Sequence, residues 1–177
     1  MAHRQLTGVL LVGGASRRFG SPKALARFNG KTFAEQAWGV LGTACAERLA
    51  FGKAADGLRL PFAVHDDGDE LRAPLVGIVA GLRAARTDVC VFLPVDLPLV
   101  TPQLVRALGE ACEEAAVPQT GPLPGAYARS TLDVLERRLA AGELSLREAL
   151  AELATVTVEL DPAQLLNVNA PEELATL

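Results

Sequence analysis

Apolar residues recur along the chain with two different periods. Leu6 to Val12 is a nearly unbroken apolar run closed by Gly13-Gly14, the pattern of a strand buried on both faces. Val89 to Leu93 repeats that pattern. Arg48 to Phe51, Phe62 to Val64, Ala116 to Val117 and Gly125 to Tyr127 are shorter strand candidates, and Val156 to Leu160 closes the set. Stretches of helical period lie between them. Thr32 and Glu35 form a capping-box signature, after which Phe33, Ala37, Leu41 and Ala44 share one helical face. Thr101 as N-cap and Pro102 at the first helical position open another helix, with Leu104, Val105, Leu108 and Cys112 at helical spacing. Leu75 to Ala85, Thr131 to Ala140, Leu146 to Leu153 and Pro171 to Leu177 are the remaining predicted helices, Gly77 and Gly81 counting against the first. Strands alternating with helices predict an α/β sandwich around a mostly parallel sheet. Ligands of such sheets sit beyond the carboxyl ends of the strands, so the loops after Val12 and Leu93 are where a site is expected.

Composition narrows the class. The 177 residues suit one domain, and with half of them hydrophobic the chain can bury a sizeable core. No apolar run approaches the ~18 residues of a membrane span, and no secretory apolar region is visible near the start. A net charge of −4 argues against general nucleic-acid binding but not against a small anion, which needs only a local cluster of cations. Cys45, Cys90 and Cys112 fit no zinc or disulfide framework and read as core residues of a cytoplasmic protein.

The segment Gly13-Gly14-Ala15-Ser16-Arg17-Arg18-Phe19-Gly20-Ser21-Pro22-Lys23 follows the first strand. It is neither G-x-G-x-x-G nor a P-loop. It does gather glycines, which let backbone amides approach phosphate oxygens, with Arg17, Arg18 and Lys23 to oppose their charge. Pro94-Val95-Asp96-Leu97-Pro98 follows the second buried strand and holds one carboxylate stiffly at the strand end, as a Mg²⁺ ligand would be held. By itself an aspartate in a turn is ordinary. Asp66-Asp67-Gly68-Asp69-Glu70 is an acidic run of which most reads as solvated loop. His65 reads as packed and His3 as terminal, so Ser-His-Asp or Cys-His chemistry has no basis. Near the end, Asn169 reads as a helix N-cap with Glu172 at N3, which leaves Asn167 without a local role.

Taken together, these segments resemble the molybdenum cofactor guanylyltransferases, the MobA family, within the nucleotidyltransferases. The family's L-A-G-G-x-S-x-R-M-G-x-x-K opening corresponds to Leu11 through Lys23, its P-x-D-x-P turn to Pro94 through Pro98, its G-P-L-x-G segment to Ala73 through Gly77, and its N-[VI]-N-x-P-E-[ED]-L ending to Asn167 through Leu174. The matches are in order and span nearly the whole chain. The opening is shared by many nucleotidyltransferases, and the closing asparagine pair favours this family. Val12 stands for the usual alanine, Phe19 for the usual methionine, and Gly52 for a frequent asparagine on the nucleotide-base side.

The resemblance implies one nucleotidyltransferase domain over residues 1–177, a three-layer α/β/α sandwich with a Rossmann-like sheet of the nucleotide-diphospho-sugar transferase type. It implies transfer of GMP from GTP to molybdenum-bound molybdopterin, with Mg²⁺ as cofactor and molybdopterin-delivering proteins as partners. Lys23, Arg18 and Asp96 would be catalytic, Asp96 also holding the metal. Leu11, Val12, Gly13, Gly14, Lys23, Gly52, Asp66 and Asp96 would contact the nucleotide, with Asp66 on guanine or on ribose. Asn167 and Asn169 would face the pterin. A sibling enzyme using CTP or a sugar phosphate is the alternative, and a non-catalytic nucleotide-binding adaptor on the same fold is another; retention of both Lys23 and Asp96 argues against the adaptor.

Overall fold

The computed structural model describes residues 3–13 and 20–177. In chain order the elements are β1 (Leu6–Leu11), a 3-10 turn (Lys23–Leu25), β2 (Arg27–Phe28), β3 (Lys31–Thr32), α1 (Phe33–Ala44), β4 (Glu47–Gly52), β5 (His65–Asp66), α2 (Pro74–Ala84), β6 (Val89–Pro94), α3 (Pro102–Ala111), β7 (Ala115–Pro118), β8 (Gly125–Ala128), α4 (Leu132–Ala140), α5 (Leu146–Ala151), β9 (Thr155–Val158) and α6 (Pro171–Leu174). Seven strands form one sheet in the order β5-β4-β1-β6-β8-β7-β9. Within it β8 runs antiparallel to both its neighbours, and every other pairing is parallel.

Side-chain alternation on the central strands builds two apolar layers. Leu6 and Leu10 of β1, with Val89, Val91 and Leu93 of β6, pack against α1 and α3 through Phe33, Leu41, Leu104 and Leu108. Val9 and Leu11, with Cys90 and Phe92, face α2, α4 and α5 through Leu75, Ile78, Leu135 and Ala149. This is the expected three-layer sandwich. Burial pushes the thiols of Cys45 and Cys90 up to about 12 and that of Cys112 to about 11, as expected of packing cysteines. Among the described residues no helix is long and apolar enough to cross a membrane.

Strong local signals agree with the structure. Thr32 accepts from the Glu35 amide at 3.1 Å and the Glu35 carboxylate accepts from the Thr32 amide at 2.9 Å, so the capping box is complete. Gly77 and Gly81 do sit inside a helix, because α2 lies too close to the sheet for side chains there. A Cβ at Gly77 would stand 2.6 Å from Leu11 Cδ2, and one at Gly81 2.6 Å from Phe92 Cε1.

Other expectations fail. Phe62 to Val64 is not a strand; β5 begins only after it, at His65, and Phe62 stacks on Trp38 with ring centroids 4.2 Å apart. His65 is exposed, its ring 5.6 Å from Phe51. The last strand is Thr155–Val158 instead of Val156 to Leu160, and the closing helix stops at Leu174. Asn169 is not the N-cap: Ala170 holds that position, and Glu173, not Glu172, reaches back to accept from the Asn169 amide at 2.7 Å. The hairpin β2–β3 was not expected, although Asn29-Gly30 is a strong signal for it. Their φ values of 51° and 82° suit a two-residue turn.

Candidate functional site

Register sets the site. β1 pairs in parallel with β4 and β6 so that Leu11 stands level with Phe51 on one side and Pro94 on the other. The residues just beyond, Val12-Gly13, Gly52-Lys53 and Val95-Asp96, therefore emerge together at the carboxyl edge of the sheet. The Val12 amide still donates to the Phe51 carbonyl at 3.0 Å, which holds that edge together. A cavity of about 380 Å³ opens there, floored by these strand ends and walled by Lys23, Asp67, Arg72, Leu123 and the start of α2 at Ala73 and Pro74.

Asp96 is aimed by its neighbours. Val95, Leu97 and Val100 are buried, which turns the intervening carboxylate toward the cavity. The Asp96 carbonyl accepts from the Val168 amide at 2.9 Å, tying the C-terminal segment onto this turn. Lys23 opens the 3-10 turn anchored by buried Ala24. Its ammonium donates to Asp96 Oδ2 at 3.2 Å and to Asn169 Oδ1 at 2.8 Å. Three segments remote in sequence thus meet at one cation. Asn167, two residues before, is exposed and lies outside the cavity wall.

The other side of the cavity is built by β4 and β5. Gly52 pairs with Asp66, and the Asp67 amide continues the ladder to the Gly52 carbonyl at 3.0 Å. That register brings Lys53 level with Asp67, whose Oδ1 accepts from Lys53 Nζ at 2.7 Å. The side chains are 10% and 8% exposed. Asp66 turns the other way, out of the wall. Its two oxygens accept from the amides of Ala54 and Gly68, each at 2.7 Å, which hold its carboxyl below the usual range. Arg72, in the wall, makes a bidentate pair with Asp56 at 2.7 and 3.2 Å, and this pair raises the affinity of the guanidinium for its proton.

Of the residues singled out in the sequence, Leu11, Val12, Gly13, Lys23, Gly52 and Asp96 line the cavity, with Asn169 bonded to Lys23. Asp66 and Asn167 do not line it. Gly14, Arg17 and Arg18 lie outside the described residues. Lys53, Asp67 and Arg72 were missed. Adjacent strand residues face opposite ways, so Asp67 lines the cavity while Asp66, the aspartate that the resemblance points to, faces away from it.

Two departures from the family pattern are linked in space. A Cβ built on Gly52 would lie 2.8 Å from Val12 Cγ2, an atom that alanine lacks. Val12 fills part of the space that a side chain at 52 would need.

A mostly parallel sheet whose strand ends gather Gly13, Lys23 and Asp96 around an open cavity is the arrangement of a nucleotidyltransferase. The MobA-like NTP transferase domain matches residues 8–157, and the chain belongs to that family. It is 33% identical over 193 aligned residues to the probable molybdenum cofactor guanylyltransferase of Chloroflexus aggregans, covering 97% of this chain and 93% of the relative. It is 34% identical over 181 to the protein of the same name from Deinococcus radiodurans, again covering 97% and 93%. Among solved structures it is similar to molybdopterin-guanine dinucleotide biosynthesis protein A from Archaeoglobus fulgidus, with a TM-score of 0.81, 25% identity and coverage of 96% and 95%. The 2-C-methyl-D-erythritol 4-phosphate cytidylyltransferase of Thermus thermophilus has a TM-score of 0.73 at 19% identity, covering 95% of each chain, and shares the fold.

Proposed function

We propose that this protein is a molybdenum cofactor guanylyltransferase, which transfers GMP from GTP to molybdenum-bound molybdopterin and releases pyrophosphate. The relatives' names suggest the substrates. The observation on this chain that carries the reading is the meeting of the cavity-lining Lys23 and Asp96 with Asn169. In bond terms, a terminal phosphate oxygen of molybdopterin bonds to the α-phosphorus of GTP while the bond from that phosphorus to the β-phosphate oxygen breaks. The attacking oxygen is already anionic, so no strong general base is required, and catalysis rests on positioning and charge neutralisation.

Lys23 supplies that charge. Its two acceptors fix the ammonium beside the strand ends, where phosphate oxygens would lie along the backbone of Gly13. Asp96 is the residue that would hold Mg²⁺. Its Oδ1 accepts no hydrogen bond among the described residues, and no group of three or more His, Cys, Asp or Glu that could bind a metal occurs among them. A lone carboxylate suits a cation that completes its shell with phosphate oxygens and water. Bound there, Mg²⁺ would offset the charge of the departing pyrophosphate. A GTP-consuming enzyme must work where GTP is supplied, and this reading sets the enzyme in the cytoplasm.

The test is transfer of label. The protein, molybdenum-molybdopterin and GTP labelled at the α-phosphate, with Mg²⁺, should yield a labelled pterin dinucleotide and equimolar pyrophosphate, and a chelator should stop it. Label moving from CTP and not from GTP would assign the enzyme to cytidylyl transfer. Transfer from neither would refute the reading.

A further inference from the structure

We infer that Lys53, acting with Asp67, selects the base of the nucleotide. The inference rests on the guanylyl-transfer reading and deepens it. Asp96 follows β6 and Lys23 is bonded to it; both line the cavity, and the guanylyl-transfer reading puts the phosphates there. Lys53 follows β4, two strands away across the sheet, or about 10 Å at ordinary strand spacing. Between the two lie the backbones of Gly13 and Gly52, without side chains. A nucleotide with its phosphates at Lys23 therefore directs its base toward Lys53 and Asp67.

The pair is costly for the fold alone. Both side chains are about nine-tenths buried, and taking two charges out of water is often no better for stability than an apolar pair of the same shape. What it offers is hydrogen-bonding pattern. Lys53 Nζ has three hydrogens, of which Asp67 Oδ1 takes one at 2.7 Å and the Asp69 carbonyl another at 2.6 Å. One donor is left over. Asp67 Oδ1 also receives the Asp69 amide at 3.3 Å, while Oδ2 accepts nothing among the described residues. The cavity wall thus presents one charged donor beside one charged acceptor.

Guanine carries the complement on its edge: O6 accepts, and the adjacent N1–H and N2–H₂ donate. Lysine on guanine O6 or N7 is a common recognition contact. Held in the same orientation, adenine and cytosine present the reverse order, an amino donor beside a ring-nitrogen acceptor, and would oppose like to like. Uracil matches through O4 and N3–H but lacks the second amino donor. The expected order of affinity is GTP, then UTP, then ATP and CTP.

The experiment is calorimetric binding of GTP, UTP, ATP, CTP, ITP and inorganic tripolyphosphate, each with Mg²⁺, to the wild type and to Lys53→Met, Lys53→Arg and Asp67→Asn. The wild type should prefer GTP to ATP at least tenfold. Lys53→Met should lower GTP affinity tenfold or more, bring the GTP-to-ATP ratio toward one and leave tripolyphosphate binding unchanged. Asp67→Asn should erase the advantage of GTP over ITP, which lacks the 2-amino group. If Lys53→Met does not fold, Lys53→Arg keeps the ion pair but moves the donor, and the GTP-to-ATP ratio should still fall. A wild-type ratio in the lysine variants overturns the role of Lys53. Equal loss of GTP, ATP and tripolyphosphate overturns it too, by placing Lys53 on phosphate. A wild-type preference for CTP or ATP would instead refute the guanylyl reading, and with it the guanine match.

Discussion

Lys23 Nζ donates to Asn169 Oδ1 at 2.8 Å, a contact between residues 146 positions apart. It accounts for the asparagine more fully than capping does. Ala170 is the N-cap of α6, and the backbone amide of Asn169 is satisfied by Glu173. The side chain is therefore free to hold the ammonium that also meets Asp96 at 3.2 Å. The 3-10 turn, a strand-end carboxylate and the C-terminal segment are coupled through one cation.

If Asn169 acts by positioning Lys23, its effect should vanish when Lys23 is gone. A hydrogen bond to a charged group contributes about 1.5–3 kcal/mol. Asn169→Ala should therefore slow turnover on the order of tenfold. Lys23→Ala should slow it further, and Lys23→Ala with Asn169→Ala should be no slower than Lys23→Ala alone. Turnover of the four proteins at one GTP concentration completes the cycle; additive losses would show that the two residues act separately.

Asp96→Asn should abolish turnover and leave the fold intact. The Asp96 carbonyl, not its carboxylate, receives the Val168 amide, so the link to the C-terminal segment survives the substitution. A charge that stabilises the transition state contributes several kcal/mol, a loss on the order of a thousandfold in rate. The check is product formation beside a thermal melt, and a variant within tenfold of the wild type would remove Asp96 from the chemistry.

Much of this fold could be read along the chain, and much of the site could not. Leu6 to Leu11 and Val89 to Pro94 declare themselves because they are buried on both faces, and Thr32 with Glu35 because a capping box is local. Asp96 was visible as the carboxylate just beyond the second of those strands, and Lys23 as a cation of the glycine-containing segment that follows the first. Lys53 and Asp67 were not, because only the register of β4 with β5 brings them together. Phe62 looked like strand since its stacking on Trp38 is tertiary. Gly77 and Gly81 looked like helix breakers because the pressure of the sheet on α2 is not written in α2 itself.

Acid should weaken the β4–β5 loop through Asp66. Its carboxyl is held below the usual range by the Ala54 amide, then by that of Gly68. A depressed folded-state pKa means that the stabilisation is present above the unfolded value of about 3.9 and is lost as pH falls through the lower folded value. Asp66→Asn replaces one accepting oxygen with a donor, so the variant should melt below the wild type by a constant margin from pH 5 to 8. That margin should close below pH 4. Melting curves across this range decide it; a margin that persists at pH 2 would assign the effect to shape instead of charge.

Two helical glycines should respond to alanine with opposite sign. Gly39 lies in α1, exposed, with nothing within 4 Å of a built Cβ. Gly39→Ala gains helix propensity alone and should stabilise by about 0.5–1 kcal/mol. Gly81 faces the core, where a Cβ would meet Phe92 Cε1 at 2.6 Å and Val9 Cγ1 at 3.1 Å, and Phe92 is fully buried. Overpacking of this kind costs about 1–3 kcal/mol, which exceeds the propensity gain. Denaturant melts should place Gly39→Ala above the wild type and Gly81→Ala below it.

The valine at 12 and the glycine at 52 should behave as one unit. A Cβ at 52 would stand 2.8 Å from Val12 Cγ2 and 3.5 Å from Val64 Cγ1, with Val12 itself buried. Gly52→Asn alone must displace Val12 at the strand edge that carries Gly13, and should cost about 1–3 kcal/mol of stability. Val12→Ala alone removes buried methyl groups and should also destabilise, by about 1–2 kcal/mol. Together the two changes relieve each other: the alanine opens the space that the asparagine needs. Val12→Ala with Gly52→Asn should therefore be more stable than the sum of the single losses predicts, by at least about 1 kcal/mol, a coupling ordinary for residues in contact. Equilibrium unfolding of the four proteins measures it directly. Additive losses would mean that the close approach of Val12 to position 52 relaxes without cost, and that these two departures from the family pattern are unconnected.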